Sequence, residues 1–572
     1  MAIIDSKLTL IHLSDTHGKL APHWEKFADE RWHADSGGFA KTFTKIRQIR
    51  AAAAGASLLC VNGDNFHGGA ELLFTRGRAV VPILNAFGID AYTPGNWDFA
   101  DGSAEFRARF VGSDEQPRLV DFPVLAAGVY NAAGAPPGAA IGARLLPPYL
   151  IKRIGDMRIA VIGMNDDKPA EQAAVFAAGL DIRAGWDELP TLIAEVRAHG
   201  ADLVVAMSEA GLAQNLAIAR DYCGIDIILS GDTHEETRTP IRVGDTIVVE
   251  SGEGSRVGQL DLRVSRDERR VYIKEYTWCL HEVDEAVPAD AEIKSLVDRA
   301  RTPFISGAAF TPAVRTYPGW APGTGMVLAR PLDTVIGTTD TDLERQQVLE
   351  GIGDDVIADA LRTLTGADLA ATNGFRFDMP LPAGAPITIG DVFNWLPLGA
   401  HVAVAEITGG HWRERMERYL QSVFAPNPYL RGGGWVPRIA GARFELDFSG
   451  PHGPSGKRIV KAEVFNRASA AWEPVRDDGV YTFASCHTPG DALDHMCRTS
   501  GLRNMKFLLS DGSLAPPLVP HQNPNPQPKL KVAPDNVMSA PEALLKFIEQ
   551  CGGVRAANHA GGRWKIIKGG LP

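Results

Sequence analysis

Residues 8–18 read Leu-Thr-Leu-Ile-His-Leu-Ser-Asp-Thr-His-Gly: a short apolar run that stops at a polar cluster. The same grammar returns along the first half of the chain. Apolar runs at Leu8–Leu13, Leu58–Val61, Ile159–Gly163, Leu203–Ala206, Ile225–Leu229 and Thr246–Val249 read as strands buried on both faces. Ala-rich helical stretches lie between them, as at Phe39–Ala54 and Leu192–His199. Strands alternating with helices predict an α/β layered fold.

A polar helix is expected near Ala289–Arg301, followed by a Pro/Gly-rich stretch, Thr311–Thr324, with the composition of a linker. The sequence therefore divides into a first domain at 1–300, a linker at 301–325 and a second domain at 326–572. The second mixes expected helices (Asp354–Thr365, Gly410–Leu420) with strands (His401–Ile407, Arg443–Phe448, Val480–Ala484), which predicts a second α/β (α+β) domain. Ala515–Pro528 is Pro-rich and aperiodic and reads as an extended loop. No internal repeat is present.

Composition narrows the function. The 572 residues are 45% hydrophobic and 22% charged, enough apolar content for two packed cores. The net charge of −11 argues against a nucleic-acid polymer or an anionic membrane as partner. It allows a small anionic substrate where metal ions supply local positive charge. The six cysteines form no CxxC pair and read as reduced, mostly buried thiols. No run of ~18 apolar residues suggests a membrane span. The N-terminus runs straight into a strand with no signal peptide, which favours the cytoplasm, or the periplasm if a leader has been removed.

Chemistry gathers at the ends of the apolar runs. Five polar clusters follow them: Ser14-Asp15-Thr16-His17-Gly18, Asn62-Gly63-Asp64-Asn65, Pro94-Gly95-Asn96-Trp97-Asp98, Met207-Ser208-Glu209-Ala210-Gly211 and Ser230-Gly231-Asp232-Thr233-His234. In an open α/β sheet, ligands bind outside the carboxyl ends of the strands. Each cluster carries carboxylate, imidazole or amide donors suited to metal ions. Any one of them alone reads equally well as a turn; five in this order point to a metal site. Serine-hydrolase, dinucleotide-binding and Walker A motifs are absent from the sequence.

The pattern DxH…GDxx…GNxD…Sx…GxxH resembles the calcineurin-like metallophosphoesterases. The whole chain resembles the 5′-nucleotidase family, in which such a domain precedes a distinct C-terminal domain. Within that family it is similar to the thiosulfohydrolases of bacterial sulfur oxidation. That similarity rests on Gly37-Gly38-Phe39-Ala40, Thr75-Arg76-Gly77, Trp97, Gly374-Phe375-Arg376, residues 424–429 with Gly432-Gly433-Gly434, and Gly456-Lys457-Arg458-Ile459. The resemblance implies a four-layer β-sandwich flanked by helices in the first domain. It implies two divalent ions, with Asp15, His17 and His234 on one, Asp64 shared, and Asn96, Glu209 and Asp232 on the other. Asp98 would orient a ligand or a water.

This chain departs from the family pattern at three positions. Glu209 and Asp232 stand where histidines are usual, so four carboxylates face two divalent ions. An oxygen-rich set of this kind suits Mn best, with Fe(II), Mg or Zn as alternatives. Trp97 replaces the histidine with which nucleotidases stabilise the transition state. Its replacement is His67, unless that is an ordinary loop histidine, or Arg376, unless that makes a surface salt bridge. In the implied mechanism, a water shared by ions ~3.5–4 Å apart is deprotonated near neutral pH and attacks phosphorus or sulfur in line.

For substrate binding the resemblance implies the segment Asn373-Gly374-Phe375-Arg376-Phe377, with Trp97 at the metal site. Phe375 or Phe377 would supply one ring of a base sandwich. Thr488 stands where the second ring is expected, with Phe483 and His487 nearby. Three functions remain in view: a hydrolase of small phosphate esters, including nucleotides; a thiosulfohydrolase acting on a cysteine thiosulfonate of a carrier protein; and a non-catalytic binding module on a degenerate site.

Overall fold

The computed structural model describes residues 4–113, 115–173, 175–266, 271–316, 325–377, 379–432, 434–450, 456–488, 490–519, 532–559 and 561–571. It divides into two compact units, Met1–Pro303 and Phe304–Pro572. Residues 317–324 of the expected linker and 520–528 of the expected loop lie outside the described residues.

The first unit is built on two sheets. One has five strands: β1 (Ile4–Leu13), β2 (Ser57–Asn62), β3 (Ala91–Thr93), β10 (Arg256–Arg266) and β11 (Val271–Glu282), in the order β11-β10-β1-β2-β3. The other has six: β4 (Tyr149–Ile154), β5 (Met157–Met164), β6 (Leu203–Ser208), β7 (Ile227–Ser230), β8 (Ile241–Val243) and β9 (Thr246–Glu250), in the order β8-β9-β7-β6-β5-β4. Strands β1-β2-β3 and β5-β6-β7-β9 run parallel; β10, β11, β4 and β8 are antiparallel to their neighbours.

Alternation along β1 and β2 explains the layering. Leu8, Leu10, Leu58 and Cys60 point between the sheets, where they meet Val161, Val205, Leu229 and Val249. Ile11, Leu13, Leu59 and Val61 point the other way, onto a helical layer containing α1 (Phe39–Ala52) and α4 (Ala291–Arg301) through Phe39, Ile46, Ile293 and Val297. On the far side of the second sheet, α2 (Leu189–Ala198) and α3 (Leu212–Asp221) join its strands, and α3 packs on β7 and β9. The result is the four-layer sandwich flanked by helices. Asp290 caps α4, its carboxylate accepting from the backbone of Glu292 and Ile293.

The second unit carries a six-stranded sheet. Its strands are β12 (Leu369–Gly374), β13 (His401–Thr408), β14 (Trp435–Ala440), β15 (Val480–His487), β16 (Arg503–Leu508) and β17 (Leu514–Ala515), in the order β14-β12-β15-β13-β16-β17. Helix α5 (Ile352–Thr365) packs on β12 and β14, and α6 (Gly409–Val423) packs on β14 and β13. A fully buried ion triad ties α5 to the sheet: Asp354 accepts from Nε of Arg345 at 2.5 Å and from Nε of Arg438 at 3.0 Å.

The six cysteines are free thiols, but the expectation that most are buried does not hold. Only Cys60 is buried, while Cys223, Cys279 and Cys551 are exposed. Among the described residues no helix is long and apolar enough to cross a membrane.

Candidate metal centre

The five polar clusters meet at one edge of the first unit. Asp15 and His17 follow β1, Asp64 follows β2, Asn96 follows β3, Glu209 follows β6, and Asp232 and His234 follow β7. The loops are pinned to one another. Asp15 N donates to Gly63 O, His17 N donates to Asp64 O, and Asn65 accepts from the Thr16 hydroxyl at 2.6 Å. Two glycines permit this closeness. A Cβ on Gly63 would lie 1.8 Å from the Gly95 nitrogen, and one on Gly68 (φ 108°) would lie 1.7 Å from the His17 carbonyl oxygen.

The backbone is under strain at the expected ligands. Asp15 (φ 48°), His17 (41°), Asp64 (59°), Asp232 (78°) and His234 (60°) all occupy the left-handed region. Non-glycine residues adopt this region at a cost, and such residues concentrate at functional sites. Local turn preference does not account for a cluster of five drawn from the strand ends of two sheets, whereas the need to aim side chains at a shared point does.

The side chains converge and are buried. Ligand atoms of Asp15, His17 and His234 lie within 4.8 Å of one another, as do those of Asp15, Asp64 and Glu209. The Nε2 atoms of His17 and His234 are 3.2 Å apart, and His234 Nε2 is 3.5 Å from Asp15 Oδ1. Asp64 Oδ1 accepts from Trp97 N at 2.8 Å, and Glu209 Oε1 accepts from Gly63 N at 2.9 Å. The Asn96 amide terminus lies 3.1 Å from Asp64 Oδ2 and 3.2 Å from Asp232 Oδ1. With its nitrogen there it donates to both carboxylates; with its oxygen there, three acceptors face one point.

This set fits divalent cations. Burial, then the charges of Asp98, Asp15 and Asp232, push the Asp64 carboxyl well above its usual range. Burial, then Asp15, Asp64 and Asp232, do the same to Glu209. Glu209 Oε2 is buried with no hydrogen-bond partner. Like charges packed this closely, with an acceptor left over, call for positive charge between them. The imidazoles of His17 and His234, nitrogen to nitrogen, likewise suit a shared cation.

Other expected residues surround the cluster. Asp98 is buried and accepts from Tyr92 OH (2.6 Å), Gly95 N (3.1 Å), Asp64 N (3.3 Å) and Phe66 N (3.4 Å), so it clamps the loop that carries Asp64. His67 stacks on the Trp97 ring (centroids 4.4 Å apart, planes at 15°), and its Nδ1 is 3.5 Å from that of His17. Sequence reasoning missed Lys168, which pairs with Asp232 at 2.5 Å and Asp166 at 3.1 Å. It also missed Glu253, which pairs with Lys19 at 2.9 Å and lies 3.8 Å from His234 Nδ1. Asn165-Asp166-Asp167-Lys168 follows β5 as the five clusters follow their strands, so the same rule would have found it.

The expected substrate segment lies in the second unit, at the end of β12. Asn373 accepts from the Cys497 thiol at 3.2 Å. Arg376 stacks over Trp435 at 4.0 Å and donates to Gly434 O. Phe375 and Phe377 stack on each other (5.1 Å, 20°), with the Arg345 guanidinium 5.6 and 5.2 Å from their rings. Phe483 and His487, the candidates for a second stacking ring, are both buried, and Phe483 packs on Trp412. Neither offers an open face to a base.

Residues 8–236 match the calcineurin-like phosphoesterase family, and residues 335–488 match the 5′-nucleotidase C-terminal domain. A probable 5′-nucleotidase of Treponema pallidum is 26% identical over 543 residues, covering 83% of this chain and 85% of that one. Two solved structures share the fold. The sulfate thiohydrolase SoxB of Thermus thermophilus has a TM-score of 0.75 at 20% identity, covering 99% of this chain and 97% of its own. A 5′-nucleotidase precursor of Thermus thermophilus has a TM-score of 0.74 at 21% identity, covering 98% and 99%. Calcineurin-like phosphoesterases use a dinuclear metal site, and the candidate ligands for one are gathered here. The chain thus belongs to the 5′-nucleotidase family of metallophosphoesterase hydrolases, a calcineurin-like phosphoesterase domain followed by a 5′-nucleotidase C-terminal domain.

Proposed function

We propose that this protein hydrolyses small phosphate esters, nucleotides among them, at a centre of two divalent cations. The observation that carries the reading is the convergence of Asp15, His17, Asp64, Asn96, Glu209, Asp232 and His234, from strand ends of both sheets, at one edge of the first unit, five of them in left-handed backbone. Asp15, His17 and His234 would hold one ion. Asn96, Glu209 and Asp232 would hold the other, with Asp64 between them. The excess of oxygen donors favours Mn, with Fe(II), Mg or Zn as substitutes. When bound, the ions supply an activated water near neutral pH and positive charge for the developing oxyanion.

The chain's own residues prepare that step. Asp98 ties the Asp64 loop, through Asp64 N and Phe66 N, to Tyr92 and Gly95 of the neighbouring strand and its loop. Trp97 holds Asp64 by its backbone N–H and supports the His67 ring by its face. Burial pushes the His67 pKa down to about 3, so the ring is neutral and offers one N–H to a charged oxygen. Arg376 and Asn373 are the polar groups of the substrate segment.

One observation favours a second reading, cleavage of a cysteine thiosulfonate on a carrier protein. Phe483 and His487 are buried, so the segment expected to supply a second stacking ring leaves a nucleoside without that partner. Stacking is worth ~1–3 kcal/mol per base. Mn-loaded protein should hydrolyse a generic aryl phosphate, lose that activity to a chelator, and lose both metal and activity in Asp64→Ala. Full turnover by Asp64→Ala would contradict the proposal. Comparing AMP, aryl phosphate and a cysteine thiosulfonate separates the two substrates.

A further inference from the structure

We propose that Lys168 is a positioning residue of the metal centre, holding one oxygen of Asp232 so that this carboxylate meets the second cation through its other oxygen alone and grips it weakly. The inference rests on the metal-dependent reading above. Lys168 enters from the loop after β5. Its Nζ lies 2.5 Å from Asp232 Oδ2 and 3.1 Å from Asp166 Oδ2, with side-chain exposures of 15%, 7% and 2% for Lys168, Asp232 and Asp166. Asp232 Oδ1 points the other way, 3.2 Å from the Asn96 amide terminus, which lies 3.1 Å from Asp64 Oδ2. The two oxygens of Asp232 are therefore divided between an ammonium and the metal-facing cluster.

This division has two consequences. An imidazole offers a metal one lone pair and no charge, whereas a free carboxylate offers two oxygens and a full negative charge. With Lys168 on Oδ2, Asp232 presents a single oxygen and its charge is compensated. Shared between Asp232 and Asp166, the ammonium leaves this corner of the second subsite one negative charge instead of two to attract a dication. The neighbour of Asp15 is instead the His234 imidazole, itself a proposed ligand of the first ion. The first subsite should therefore fill before the second. A buried ammonium is costly unless paired, and Asp166 supplies the second carboxylate that keeps Lys168 in place.

Calorimetric titration of the metal-free full-length protein with MnCl2 alone, at low ionic strength, tests this. The wild type should bind two equivalents, the second more weakly. Lys168→Met should tighten the second equivalent by at least about tenfold and leave the first unchanged. Asp166→Asn should weaken the second several-fold, because Lys168 then rests on Asp232 alone. Opposite shifts from two neighbouring substitutions are not what loss of folding produces. Lys168→Arg should behave as wild type. A second equivalent that is unchanged or weaker in Lys168→Met overturns the inference while leaving the metal-dependent reading intact. A wild type that takes up no Mn overturns both.

Discussion

Asp354→Asn replaces a buried carboxylate by an isosteric amide and leaves Arg345 and Arg438 without the anion they share. All three side chains have an exposure of 0%. The carboxylate accepts one Nε–H from each arginine, and each such charge-assisted bond is worth ~1.5–3 kcal/mol. The amide can keep one bond through its oxygen and must turn an N–H toward the other guanidinium. Both arginines keep backbone carbonyls, Trp395 O for Arg345 and Val436 O for Arg438, which softens the loss. The expected destabilisation of the second unit is about 3–4 kcal/mol, within the range for breaking a buried ion network. Arg345 also lies against Phe375 and Phe377, so KM should rise while metal content stays at the wild-type level. Urea unfolding followed by tryptophan fluorescence, with metal analysis and kinetics on the same preparation, reads all three. A stability within 1 kcal/mol of wild type, or a loss of metal, would refute the reasoning.

Three further outcomes are expected. Glu253→Gln removes the carboxylate beside His234 and should lower affinity for the first Mn equivalent by ~10–100-fold, read by the same titration. His67→Ala should lower kcat by roughly 100-fold with Mn stoichiometry unchanged; an unaltered kcat would remove His67 from the mechanism. Burial raises the Asp355 pKa to about 7, outweighing Arg563 at 3.7 Å. A raised carboxyl pKa stabilises the fold fully below the unfolded value near 4 and loses that contribution as pH rises through about 7. The wild type should therefore lose on the order of 2–4 kcal/mol between pH 4 and 8 from this group, and Asp355→Asn should not; equal pH slopes in urea unfolding would contradict this.

The buried parallel strands were legible because apolar pressure acts on both faces. Leu58, Leu59, Cys60 and Val61 are all buried, so the run stands out in the sequence. The hairpin β10–β11 was not legible. β11 is half-exposed throughout and carries Lys274, Glu275 and Glu282, so no continuous run marks it. Helix ends shifted by a turn or less where capping rather than apolar spacing decides them, as at α6, where Thr408 caps the first turn. Six of the seven proposed ligands were visible because each follows a strand that the apolar pattern marks; Asn96 follows the three-residue β3, which no apolar run marks, and stood out through its Gly-Asn-x-Asp motif. Lys168 and Asp166 follow such a strand too, but a lysine is no metal ligand and a lone Asn-Asp-Asp cluster reads equally well as a turn. Glu253 and Lys19 were hidden for a different reason: their pairing spans 234 positions of sequence and exists only once β1 and β10 lie side by side.

The most direct test of two cations where the two sheets' strand ends meet is anomalous diffraction from crystals soaked in MnCl2, recorded at the manganese edge. Two peaks are predicted in the first unit. One should lie among Asp15, His17 and His234, and the other among Asn96, Glu209 and Asp232, with Asp64 reaching both. No peak within coordination distance of these side chains, at Mn concentrations that support hydrolysis, would contradict the account.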